Sequence, residues 1–166
     1  MEVDNLSVEY NLTKAERKYL LMVFLTLNSM GWTRLKKIAD YAGVKMPSAK
    51  QALDSLAEKG LIYYEKRGAI TLTDEGKKIA IIENKNIRAV QKFLVEILGI
   101  DPEKAWDSCL KIYFDMDEEA ASKFLLFAKF MNECPQEKPF FIKHFKEYLS
   151  KGKITDNCPF LNKEGE

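Results

Sequence analysis

Ser48, Lys50 and Gln51 fall on the outward wall of a short amphipathic helix. Glutamine can pair bidentately with adenine, and lysine with guanine or a phosphate. Lys36, Lys37 and Lys45 surround the same edge and suit phosphate contacts. Thr33, at the start of the preceding helix, joins this set. Lys66 and Arg67 stand at the tip of a small hairpin and suit phosphates or the minor groove. Any one of these residues read alone is a solvated polar side chain. Two short helices and a positive hairpin read together point to double-stranded DNA, with one helix entering the major groove and the hairpin resting on the backbone.

A second set of residues offers soft-ligand chemistry. Cys109, Cys134 and Cys158 are spaced by 25 and 24 residues, which matches no compact metal motif. Three thiolates with a fourth ligand such as His144 would hold zinc, copper(I) or an iron–sulfur cluster, or two of them would act as a redox pair. The plainer reading makes Cys109 a small buried hydrophobe and the other two ordinary thiols, with no cofactor expected. Asp115, Asp117, Glu118 and Glu119 surround a helix start, where acidic residues usually serve as caps. With one histidine, no glycine-rich phosphate loop and no nucleophile elbow, the chain does not read as an enzyme.

These residues must be positioned by a mainly α architecture. Thr13 and Glu16 form a capping box that opens a helix running to about Asn28, apolar on more than one side. Thr33 is placed to cap a helix over 34–41, Gly43 to turn the chain, and Pro47 to open a helix ending at Lys59. Strands at 61–65 and 69–72 flank the Lys66-Arg67-Gly68 turn. A long helix follows over 74–98, with Gly76 where a capping box would need an acid or amide. Asp101 as cap and Pro102 at the first position open a helix to about Phe114, and helices over 118–133 and 139–149 complete the chain. Phe124, Leu125, Phe127, Ala128, Phe130 and Met131 make the third of these four rich in aromatics. It reads as core or dimer contact, with an apolar ligand pocket between the helices as the alternative.

The 166 residues suffice for a small domain plus an accessory one. A winged helix-turn-helix with a two-stranded β-wing is expected over 13–73, an all-helical dimerisation region over 74–150, and a polar tail over 151–166. The net charge of +1 conceals an asymmetry, with a surplus of +6 over residues 31–95 and a deficit of −4 over 96–166. A basic middle and an acidic end suit different partners. No signal peptide or apolar span is visible, and three cysteines make no disulfide framework, so a cytoplasmic location is expected.

The order and spacing of several segments resemble the iron- and manganese-dependent repressors of the DtxR/MntR type. Gly31-Trp32-Thr33-Arg34-Leu35-Lys36-Lys37-Ile38-Ala39, Pro47-Ser48-Ala49 and Leu53 carry the likeness. It continues through Leu56-Ala57-Glu58-Lys59-Gly60-Leu61-Ile62, through Arg67-Gly68-Ala69-Ile70-Thr71-Leu72-Thr73, and through Phe93-Leu94-Val95-Glu96-Ile97-Leu98-Gly99. The resemblance implies a homodimer that binds palindromic operators under metal control. The metal ligands do not carry over. The family's positions fall on Lys18, Leu21, Ile87, Leu110, Tyr113 and Phe114, of which lysine repels a cation and leucine, isoleucine and phenylalanine offer no donor. Cys134-Pro135 and Cys158-Pro159 are similar to the C-terminal end of a variant of the same family. A metal-independent homodimeric regulator is therefore expected, open to an unidentified small-molecule effector. A cysteine-based metal or redox sensor and a winged-helix protein-interaction module without DNA binding are the alternatives.

Overall fold

The computed structural model describes residues 11–64, 68–133 and 138–152. Helix α1 (Lys14–Thr26) opens on the expected capping box. The Glu16 amide donates to Thr13 Oγ1 at 3.2 Å, and the Thr13 amide donates to Glu16 Oε2 at 2.7 Å. The helix stops at Thr26 rather than Asn28. Asn28 Oδ1 instead accepts the amides of Met30 and Trp32, and this local turn competes with another helical residue.

Helices α2 (Leu35–Ala42) and α3 (Met46–Glu58) form the helix-turn-helix. Gly43 between them has φ 67°, the left-handed conformation that only glycine adopts freely. Pro47 lies in the first turn of α3, where its missing N–H costs nothing. Strands β1 (Ile62–Tyr64) and β2 (Ile70–Leu72) pair antiparallel, with Tyr63 opposite Thr71. Thr33 adds a single bridge to Ile70, tying the approach to α2 onto the wing. Then come α4 (Asp74–Glu96), α5 (Pro102–Asp115), α6 (Glu118–Glu133) and α7 (Lys138–Lys151). Asp101 caps α5 through the amides of Glu103 and Lys104, and the Asp117 carboxylate accepts the Ala120 amide at the start of α6. The fold is mainly helical, with an N-terminal helical unit, a small β-wing and an all-helical C-terminal region, as expected. No helix among the described residues is long and apolar enough to cross a membrane.

Two apolar clusters organise the chain, and α1 belongs to both. Leu20, Met22 and Val23 pack with Ile38, Leu53, Leu56, Leu61 and Ile70 in the winged unit. Leu21 turns instead to Ile87, Val90, Leu94, Cys109 and Phe114 of the C-terminal helices. A helix apolar on two sides is what such a shared position requires. Helix α4 also spans both clusters, through Ile79 and Ala80 at one end and Ile87 onward at the other. At about 1.5 Å per residue it is a strut of roughly 35 Å.

The start of α4 lies against the wing with no room to spare. A Cβ on Gly76 would sit 1.9 Å from the Leu61 carbonyl oxygen, which accepts the Thr73 amide at 3.1 Å. Glycine at this position is therefore a packing requirement, which explains the missing capping-box acid. Gly76→Ala must push α4 off the wing, and should destabilise the protein by about 1–3 kcal/mol in denaturant titrations, the usual range for overpacking.

Candidate nucleic-acid interface and the junction behind it

The opening of α3 presents a polar, open face. Lys45, Met46, Pro47, Ser48 and Gln51 are all exposed, and the inward side is Ala49, Leu53 and Leu56. Lys36 is exposed on α2 nearby in sequence. Three other expected contacts are committed elsewhere. Thr33 is 1% exposed; its hydroxyl donates to Thr26 Oγ1 at 3.0 Å and its backbone pairs with Ile70. It has no surface to offer a nucleic acid, and Arg34, not Thr33, occupies the cap position of α2. The Lys37 ammonium donates to the Thr26 carbonyl at 2.8 Å, closing the C-terminal end of α1. Lys50 is half-buried and forms an ion pair with Asp54 one turn on, so part of its charge is compensated. Lys66 and Arg67 lie outside the described residues.

Two exposed side chains that sequence reading missed belong to the same winged unit. Arg34 stacks over the Trp32 ring at 5.2 Å from its centroid, and Tyr63 stands out from β1 with 67% of its surface exposed. An aromatic-basic pair at Trp32-Arg34 was the available signal.

Behind the interface, α1, α4 and α5 meet around one buried charge. Glu83 on α4 is 2% exposed. Arg17 on α1 clasps it, Nε to Oε1 at 2.6 Å and Nη2 to Oε2 at 3.2 Å. The same Nη2 donates to the Tyr113 hydroxyl on α5 at 2.8 Å, and Asn86 Nδ2 donates to that hydroxyl at 3.1 Å. Burial, and the Glu83 charge close by, push the Tyr113 phenol well above its ordinary range, against the opposing pull of Arg17, so the hydroxyl stays protonated. A bidentate guanidinium with a further acceptor is the geometry that allows such a pair to be buried. The sequence signal was a carboxylate inside the apolar stripe of α4, at Glu83 between Ile79 and Ile87.

The residues that the resemblance sets at metal positions lie in and around this junction, and they do not fit a divalent cation. Leu21, Ile87 and Phe114 are buried in the apolar cluster, and Leu110 packs at its margin. Tyr113 is occupied by Arg17 and Asn86, and Lys18 and Arg17 are themselves cationic. No group of three or more histidine, cysteine or acidic side chains suited to a metal exists among the described residues. Cys109 is fully buried, and its thiol donates to the Trp106 carbonyl at 3.0 Å. Burial pushes that thiol up to about 11, far from the thiolate that metal binding or redox chemistry needs. Cys134 and Cys158 lie outside the described residues.

A second carboxylate fastens the winged unit internally. Glu16 accepts from Lys59 at 2.8 Å, from Ser55 at 2.5 Å and from the Thr13 amide. Burial raises its carboxyl, but these hydrogen bonds outweigh that and lower it from 4.5 to about 2.

Residues 73–142 match the family model described as "Iron dependent repressor, metal binding and dimerisation domain". The chain is 26% identical over 142 residues to the HTH-type transcriptional regulator MntR of Bacillus velezensis, covering 75% of this chain and 99% of that protein. It is 29% identical over 111 residues to the transcriptional regulator MntR of Escherichia coli O6:H1, covering 67% and 71%. Among solved structures, a manganese-dependent transcriptional repressor in complex with manganese superposes with a TM-score of 0.54 at 24% identity, over 69% of this chain and 53% of that one.

Two measurements test the junction and its neighbour. Arg17→Met strands the Glu83 charge in the core and should cost about 3–5 kcal/mol in urea unfolding. Arg17→Met combined with Glu83→Met should recover most of the loss. Glu16 has a folded value below its unfolded one, so its contribution is complete above about pH 4.5 and disappears as the pH falls toward 2. Across that window Glu16→Gln should show a flatter fall in stability than the native chain; parallel curves would remove Glu16 from the acid response.

The chain has the fold of the iron- and manganese-dependent repressors of the DtxR/MntR type, and its described residues lack a metal-binding cluster.

Proposed function

We propose that this protein is a homodimeric, DNA-binding transcriptional regulator whose DNA-competent shape does not depend on a divalent metal ion. The exposed opening of α3 carries the reading: Lys45, Ser48 and Gln51 stand free on a helix braced from behind by α2 and α1. Ser48 and Gln51 are suited to base edges, and Lys36, Lys45 and Arg34 to phosphates. Lys66 and Arg67 of the wing complete the contact. Residues 13–73 act as the DNA-binding unit and 74–150 as the dimerisation unit.

Support for a second copy comes from α6. Leu125, Ala128 and Met131 are buried, but Leu126, Phe127 and Phe130 are left at 45%, 48% and 59% exposure. Leaving two phenylalanines in water is costly, and a C2 partner would cover them. Arg17 supports the metal-independent reading. Its guanidinium brings a permanent positive charge to the point where α1, α4 and α5 converge.

The deciding experiment is binding of the purified protein to random genomic fragments, before and after chelation, with metal content measured on the same sample. Selective binding that chelation leaves unchanged is expected, with affinity falling steeply as salt rises. Gln51→Ala should alter sequence preference, and Arg67→Ala should weaken all sequences about equally. Binding lost together with a bound metal would transfer control to the cysteines. No binding to any fragment at low salt would leave a protein-interaction module.

A further inference from the structure

The sequence offered an apolar pocket between the C-terminal helices as an alternative; a cavity also exists among the described residues at a different place. A pocket of about 250 Å³ opens between α1, the turn from α2 to α3, and the end of α5. Its walls are apolar: Met22 and Phe114 are buried at the two cores, and Tyr19 and Val44 contribute the sides. Its charges are Lys14 and Lys18, one turn apart on α1, and Asp115. The Lys14 ammonium donates to the Met116 carbonyl, and the lining as a whole carries two lysines against one aspartate. Among the described residues Lys18 makes no hydrogen bond or ion pair, and its ammonium lines the apolar hollow.

We infer that this cavity binds a small organic carboxylate, its apolar body between Met22 and Phe114 and its carboxylate on Lys18. The volume lies just below the usual range for ligand pockets, which suits a single ring or a short alkyl chain. A neutral apolar molecule would leave the Lys18 charge unanswered, and an amine would oppose it. The walls come from three elements that must keep their spacing if α3 is to be presented correctly. The turn at Ala42–Val44 leads directly into α3, and Phe114 belongs to the C-terminal cluster. On the DNA-binding reading proposed above, on which this consequence alone rests, the carboxylate is an effector that ties the turn before the recognition helix to α5.

The test uses the full chain and no DNA, so that its failure is distinct from failure of the DNA-binding reading. Phenylacetate, phenylacetamide and phenethylamine are titrated by calorimetry and by NMR of protein labelled at its six methionine methyls. Phenylacetate should bind saturably and move the Met22 signal while leaving the exposed Met30 and Met46 signals in place. Lys18→Gln should weaken phenylacetate by about tenfold, the loss of one charge-assisted contact, and leave phenylacetamide unchanged. Val44→Phe fills the hollow from its exposed rim and should abolish binding with the fold intact, which keeps the test open if Lys18→Gln proves unstable. Absence of saturable binding by phenylacetate overturns the inference. So does equal affinity for the amide, or an undiminished affinity in either folded variant.

Discussion

One buried ion pair sets the relation between the two halves of this molecule. Glu83 sits in the middle of a helix whose other inward residues are Ile79, Ala80, Ile87 and Val90. A carboxylate taken out of water there costs several kcal/mol, and only a well-aligned partner compensates for it. Arg17 meets that need and turns a further donor to Tyr113. Helices α1, α4 and α5 are thereby fixed in one register, because a slip of one residue in α1 or α4 strands a charge and a slip in α5 strands the Tyr113 hydroxyl. Apolar packing alone would tolerate neighbouring arrangements far better. The pair need not add net stability to do this. Its value lies in the penalty on every alternative.

On the proposed reading, a divalent ion and an arginine are alternative solutions to one problem. Three helices that converge on a buried carboxylate require positive charge beside it. A bound ion supplies it in proportion to its free concentration, through the logarithmic dependence of binding on ligand. A guanidinium on the chain supplies it at all times, ionised at any physiological pH and with its five donors in a fixed fork. On the proposed reading, the change converts a sensor into a constitutive joint. Control must then enter somewhere else along the junction, and the lysine-bearing cavity on the same helix α1 is a short step away.

Much of this was legible in the sequence where the governing interactions are local. Capping at Thr13, Asp101 and Asp117, the left-handed turn at Gly43 and the wing strands all depend on residues within a few positions of one another. The double burial of α1 was legible too, because its apolar residues are too many for one face. Thr33 was misread because a threonine before a helix looks like a cap. Nothing local reveals that its backbone pairs with Ile70, 37 residues on, or that its hydroxyl meets Thr26. Lys37 looked free for the same reason. The Arg17–Glu83 clasp spans 66 positions, and only the break in the α4 stripe announced that Glu83 needed a partner. The cavity had no sequence signal, since it is the space left by three distant segments.

The compensated lysines change how the proposed interface must work. With Lys37 closing α1 and Lys50 paired to Asp54, the centre of α3 offers mainly neutral hydrogen-bonding groups, Ser48 and Gln51. The uncommitted positive charges lie around it, at Lys36 and Lys45 and, beside Trp32, at Arg34. Base reading and backbone attraction are then separated in space. In the proposed complex, phosphate contacts from the periphery would hold the duplex in register without regard to sequence, and the near-neutral centre would discriminate among bases. A strong cation at the centre would add affinity for every sequence alike and so dilute selectivity. On that reading the Lys50–Asp54 pair avoids this, and it would leave Gln51 to separate one operator from another.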